Sequence, residues 1–170
     1  MVRATVQVGV VVERRILENP WVDHAWKPVA VLAGAPVTAP WTVLQQTREV
    51  TRFYAGAVEL EFFSSQTGLY RDNLTSGRPS LWVSLRPTDA PPGMSLQLVT
   101  ADPSEGEQAT EPGTDIIEAV AMPIELQKRL AAFVEGNHVE RPFIKRQRDR
   151  ANPEAMAKRG PRVHAVDDAE

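Results

Sequence analysis

The chain has 170 residues and a net charge of −3 from 19 basic and 22 acidic side chains, a length that fits one domain with a core able to stand without disulfide or metal staples. It contains no cysteine, which excludes iron–sulfur clusters, thiolate zinc sites, Cys nucleophiles and dithiol redox chemistry, and is the expected state of a cytoplasmic protein. An alternating strand stands where a signal peptide would place a basic region and an apolar run, and no apolar run approaches bilayer length, so a soluble protein without membrane contact is expected.

The even positions Val2, Ala4, Val6, Val8, Val10 and Val12 are apolar and are interleaved by Arg3, Thr5, Gln7, Gly9 and Glu13, with Val11 out of step. Period two over this length predicts a half-buried strand that ends at Arg14 and Arg15. Asn19-Pro20 breaks the pattern, since Pro20 lacks a donor and pushes Asn19 toward extended geometry, so residues 16–25 are expected to form a loop. A second strand should start at Trp26, with Pro28 arguing for an edge or a strand start. The loop between them carries Trp21, Asp23 and His24. We expect it to be pinned against the sheet by Trp21 and Trp26 and take these four residues as a candidate site loop.

Residues 41–46 and 49–63 are predicted as further strands, with Ala55-Gly56 placed as a tight hairpin turn inside the second. Residues 65–76 read as a loop with one or two helical turns, having Leu69, Tyr70 and Leu74 at helical spacing and Gly77 as the stop. Leu81, Val83 and Leu85 alternate with Trp82, Ser84 and Arg86 in the next strand. Met94, Leu96 and Leu98 are expected on one side of its antiparallel neighbour. Asp102-Pro103-Ser104-Glu105 has the form of a short helix start with Asp102 as cap. The acidic stretch 102–118, with six acidic residues and no basic one, is expected to be a solvated surface loop. Residues 116–121 form a last strand. Pro123 then opens a helix to Glu135, where Leu126, Leu130, Phe133 and Val134 make an apolar stripe and Gly136 is the stop signal.

Residues 1–140 carry a net −6, whereas residues 141–170 carry a net +3. Residues 138–170 are therefore read as a charged tail, disordered when alone because they offer too little apolar surface to offset the entropy of ordering. Within it Phe143 and Ile144 directly precede Lys145, Arg146, Arg148 and Arg150, a small apolar anchor with electrostatic steering suited to docking on an acidic protein partner. A merely solubilising tail is the alternative. The six residues are taken as candidate partner-binding residues.

Chemical motifs are sparse. There is no phosphate-binding glycine loop, no H-E-x-x-H and no calcium loop. Asp23-His24 could supply an oriented imidazole for acid–base work, but adjacent residues usually point apart, and a structural loop is the simpler reading. His138 and Glu140 match only the H-x-E half of a zinc-deaminase signature whose cysteines are absent. Glu13, Arg14 and Arg15 could bind an anion, although pairing across the sheet is favoured. No catalytic, cofactor-binding or metal-binding residue is assigned. A nucleic-acid binder is disfavoured, because the body is acidic and only the short tail could meet a phosphate backbone.

Two groups of residues carry a resemblance: Val8-Gly9-Val10-Val11-Val12-Glu13-Arg14-Arg15, Asn19-Pro20-Trp21 and Trp26-Lys27-Pro28-Val29-Ala30-Val31, then Glu118-Ala119-Val120-Ala121-Met122-Pro123 and Glu140-Arg141-Pro142-Phe143-Ile144-Lys145-Arg146. They resemble a small uncharacterised family of proteobacterial proteins typically encoded beside molybdenum-dependent formate dehydrogenases and their maturation proteins. The resemblance implies a non-catalytic accessory or assembly role, with a formate dehydrogenase subunit or maturation factor as partner, and transfers no catalytic residue. The expected fold is α+β, mainly an antiparallel sheet or small barrel of six to eight strands over residues 1–137, closed by one C-terminal helix. This layout is similar to that of pleckstrin-homology-like domains in element order alone.

Overall fold

Alternation of apolar and polar residues organises the first strand, and the computed structural model, which describes residues 1–108, 113–140 and 142, extends it through Arg3–Ile16. This strand, β1, is the centre of a four-stranded antiparallel sheet. It pairs on one side with β2 (His24–Leu32) and on the other with β4 (Val50–Phe63), which carries β3 (Thr42–Gln46) on its far edge. Val8, Val10 and Val12 are fully buried, as their period demands. The residue out of step, Val11, marks a real irregularity: the register with β4 shifts between Val10 and Val11, and that with β2 shifts between Val11 and Val12.

One strand boundary and one turn differ from expectation. The second strand begins at His24, two residues early, because Ile16 remains paired with it. Ala55-Gly56 is no hairpin: β4 runs unbroken past it along β1, and Gly56 (φ 131°) lies within a β-bulge in which Ala55 has no partner on β1. A glycine with positive φ serves a turn or a bulge equally well, and thirteen residues of pairing with one neighbour decide for the bulge.

The chain then crosses through a 3₁₀ turn (Ser64–Gln66) and helix α1 (Thr67–Thr75) into a second antiparallel sheet. There β5 (Ser80–Pro87) lies between β6 (Met94–Thr100) and β7 (Ile116–Ala121). The expected helix turns are present, but the buried face of α1 is Thr67, Tyr70 and Asn73, and Leu69 points outward. Asn73 ties the crossing to the sheet: its Nδ2 donates to the carbonyls of Ser80 and Ala101, and its Oδ1 accepts from Ser80 N–H.

In the second sheet Leu81, Val83 and Leu85 are fully buried. The register of β5 with β6 skips Gln97, so Leu98 turns to the face opposite Met94 and Leu96, a correction to the uniform face expected. Helix α2 (Pro103–Gln108) begins as its sequence indicates, with Asp102 Oδ1 accepting from Ser104 N–H at 2.8 Å. It packs so closely that a Cβ on Gly106 would stand 2.6 Å from Ile117 Cδ1. The acidic stretch is not uniformly solvated. Asp102 is 2% exposed, and the buried Asp115 carboxylate accepts two bonds from Arg86, at 2.9 and 2.7 Å.

The inner faces of both sheets share one core, and helix α3 (Ile124–Asn137) adds Leu126, Leu130 and Val134 to it. Gly136 lies inside α3 rather than stopping it; the helix ends where His138 turns extended. These elements all fall within one compact unit, Met1–Val139. Among the described residues, seven strands in two antiparallel sheets with a C-terminal helix bear out the expected α+β class, with α1 and α2 as additional helices. Among the described residues no helix is long and apolar enough to cross a membrane.

Candidate functional site

The inner face of the four-stranded sheet continues past the valine core. Its alternation brings Arg14 two residues beyond Val12, opposite Trp26 on β2 and Thr51 on β4. Phe53 stands opposite Val12. Trp26 and Phe53 are near parallel, with centroids 5.8 Å apart and planes at 27°, and Trp41 meets both rings edge-on at 6.0 and 5.8 Å. Such offset and T-shaped contacts stabilise beyond the area they bury. Trp41 takes its place with φ 63°, a left-handed conformation that is an outlier for a bulky residue, and its N–H donates to the Tyr54 carbonyl.

Arg14 lies over this aromatic cluster, its Cζ 5.6 Å from the Trp26 centroid and 5.2 Å from that of Phe53. Both distances are within cation–π range. Its Nε is buried without a hydrogen-bond acceptor.

The outer face of the same strands is built differently. Glu13 stands opposite Arg52 and accepts from its Nε at 3.2 Å, while Arg15 Nη2 donates to the other oxygen at 3.3 Å. The pairing reading therefore holds for Glu13 and Arg15, with Arg52 as the cross-strand partner and Arg14 on the opposite face. These three residues, with Gln45, Thr47 and Val50, line a shallow cleft of about 250 Å³.

The candidate loop divides between these surroundings. Trp26 is half-buried in the aromatic cluster. Trp21 is 89% exposed, so it does not pin the loop; the turn is held instead by Asn19 Oδ1, which accepts from Trp21 N–H, and by Leu17 N–H donating to the Asp23 carbonyl. His24 stands on β2 opposite Ile16. Among the described residues, the side chains of Asp23 and His24 bond neither to one another nor to any other group. Ile16, Trp21 and Val22 leave apolar surface exposed at this end of the sheet.

His138 is bound on both nitrogens: Nδ1 donates to the Thr67 hydroxyl, whose own proton goes to the Ser64 carbonyl, and Nε2 accepts from Arg71. No group of three or more His, Asp or Glu able to hold a metal ion occurs among the described residues. Phe143, Ile144, Lys145, Arg146, Arg148 and Arg150 lie outside the described residues.

Trp41 and Phe53 were not singled out in the sequence, because they join Trp26 only through pairing across three strands. The signal available was an aromatic residue at strand positions in each of residues 41–46 and 49–63. No curated protein matches this chain, and no solved structure does. A family model described as a protein of unknown function (DUF3305) matches residues 7–147, a span that includes most of β1 and the aromatic end of the sheet, and the chain belongs to that family.

Proposed function

We propose that this chain is a non-catalytic, protein-binding accessory factor of a molybdenum-dependent formate dehydrogenase system. The observation that carries the binding reading is the end of the four-stranded sheet, where the turn from β1 to β2 leaves Ile16, Val22 and the 89% exposed Trp21 open and the flanking strands carry the half-buried Arg14 and Trp26. Trp and Arg are the residue types that most often anchor protein interfaces, and clustered exposed apolar surface is costly unless something covers it. The formate dehydrogenase assignment rests on the resemblance of the N-terminal and C-terminal residue groups to proteins encoded beside those enzymes. The 141–170 segment, net +3, supplies a second contact through Phe143, Ile144, Lys145, Arg146, Arg148 and Arg150. Apolar anchors set the dissociation rate, while the charges speed encounter with an acidic surface.

The test is affinity capture from the native organism, with quantification of formate dehydrogenase subunits and maturation factors. Full-length protein should retain one of them. Trp21→Ala and removal of residues 141–170 should each lower the yield while leaving the melting transition in place. Retention of none of these proteins sinks the assignment, and undiminished yield from the doubly altered protein sinks the binding surfaces named here.

A further inference from the structure

The geometry points to Arg14 as a carboxylate-binding residue whose acceptor is an Asp or Glu side chain of the partner protein; this deepens the protein-binding reading and rests on it. Among the described residues the paired arginines have carboxylates to hand: Arg3 with Glu61, Arg15 and Arg52 with Glu13, Arg86 with Asp115. Arg14 is half-buried and has neither a carboxylate nor any other hydrogen-bond acceptor there. A guanidinium taken partly out of water without an anion loses hydration that aromatic faces return only in part.

The orientation of the group narrows the ligand. Its Cζ lies over the Trp26 and Phe53 rings, so aromatic surface takes up part of the space around the guanidinium. Nε is buried, whereas the two Nη atoms are not, which leaves the end of the fork as the part able to donate outward. An end-on fork fits the two oxygens of one carboxylate. A phosphate would call for further cations, and the neighbouring Arg15 and Arg52 are on the opposite face and bound to Glu13. Ile16 and His24 occupy the next pair of positions on the Arg14 face, so the carboxylate would arrive beside an exposed apolar residue.

The test is a titration of full-length protein with sodium acetate, with sodium chloride as the ionic-strength control, followed by nuclear magnetic resonance of the Arg14 Nε–H and the Trp26 indole N–H. A saturable shift of both signals with acetate alone is expected. It should be absent in Arg14→Gln and weakened by about tenfold or more in Arg14→Lys, which keeps the charge and loses the fork. Shifts that grow without saturation and match those from chloride overturn the site; if Arg14→Gln fails to fold, the parent titration alone decides. Partner capture separates the two readings. Saturable acetate binding without capture of any formate dehydrogenase component removes the partner and leaves the site, whereas capture that depends on Trp21 and is unchanged in Arg14→Gln removes the site and leaves the partner.

Discussion

Trp26 gives up most of its surface to Trp41, Phe53 and Arg14, while Trp21 in the preceding loop keeps 89% of its own. The two are therefore expected to separate stability from binding. Trp26→Ala removes a large ring from a three-ring cluster, and we expect a loss of about 3 kcal/mol, at the low end of large aromatic deletions because the site is only half-buried. Trp21→Ala should stay within about 0.5 kcal/mol of the parent, as exposed substitutions do. Urea unfolding of both variants measures this, and equal midpoints would show that the cluster adds nothing to the fold. The tryptophans were legible in the sequence as a pair, but their division was not. Loop residues carry no period, and the partners that bury Trp26 lie on β1, β4 and the segment before β3.

At the scale of elements, strands whose alternation is unbroken were legible from the residues alone. This holds for the valines of β1, for Leu81, Val83 and Leu85 in β5, and for the stripe on α3. What was not legible depends on pairing partners far away in the chain. The bulge at Ala55 looks like a turn until β1 is laid beside it, Leu98 changes face because Gln97 is skipped, and Asp115 is buried because Arg86 reaches it from another strand. Asn73 shows how much one such partner can carry, since it links α1 to the starts of β5 and of the segment after β6. Asn73→Ala would leave Ser80 N–H and two carbonyls buried with fewer partners, and we expect a loss of about 3 kcal/mol. Asn73→Asp should lose at least as much, because a carboxylate would face the same two carbonyls. A thermal transition within a degree of the parent for either variant would contradict this account.

The core of the whole molecule lies between two differently built ends, one covered by α1 and α3 and the other by the aromatic cluster with Arg14. Tyr70 sits at the first, fully buried, its ring 5.9 Å from Phe62, its hydroxyl donating to Gln66 Oε1 and accepting from Phe63 N–H. Burial pushes its phenol up to about 12; the Phe63 bond acts against that rise, and Glu105, Asp102 and Glu61 add to it. The unfolded chain releases this proton near pH 10 and the folded chain only near 12, so the neutral phenol favours the folded state. That contribution is complete below pH 10 and is lost as pH rises toward 12. Denaturant midpoints should fall across that window and fall less in Tyr70→Phe; parallel pH profiles for the two proteins would refute the assignment.

The two register shifts beside β1 have a bearing on how such a chain can change over evolutionary time. The extra residues are Val29 on one neighbour and Ala55 on the other, at nearly the same level, while β1 itself keeps its alternation from Val8 to Arg14. Below the bulges the inward set on β4 is Leu60 and Phe62, at even positions; above them it is Thr51 and Phe53, at odd ones. A lineage that lost codon 55 alone would close the bulge and keep Phe53 opposite Val12, whereas loss of Tyr54 with the bulge kept would turn Phe53 out to solvent and Arg52 in toward Trp26, because a strand shifted by one residue exchanges its faces. Single residues on β2 and β4 are thus lost with least disturbance at two places on either side of one strand. The aromatic end of the sheet can change residue by residue through substitution, but a single-residue deletion there keeps the inward set only where a bulge closes to absorb it.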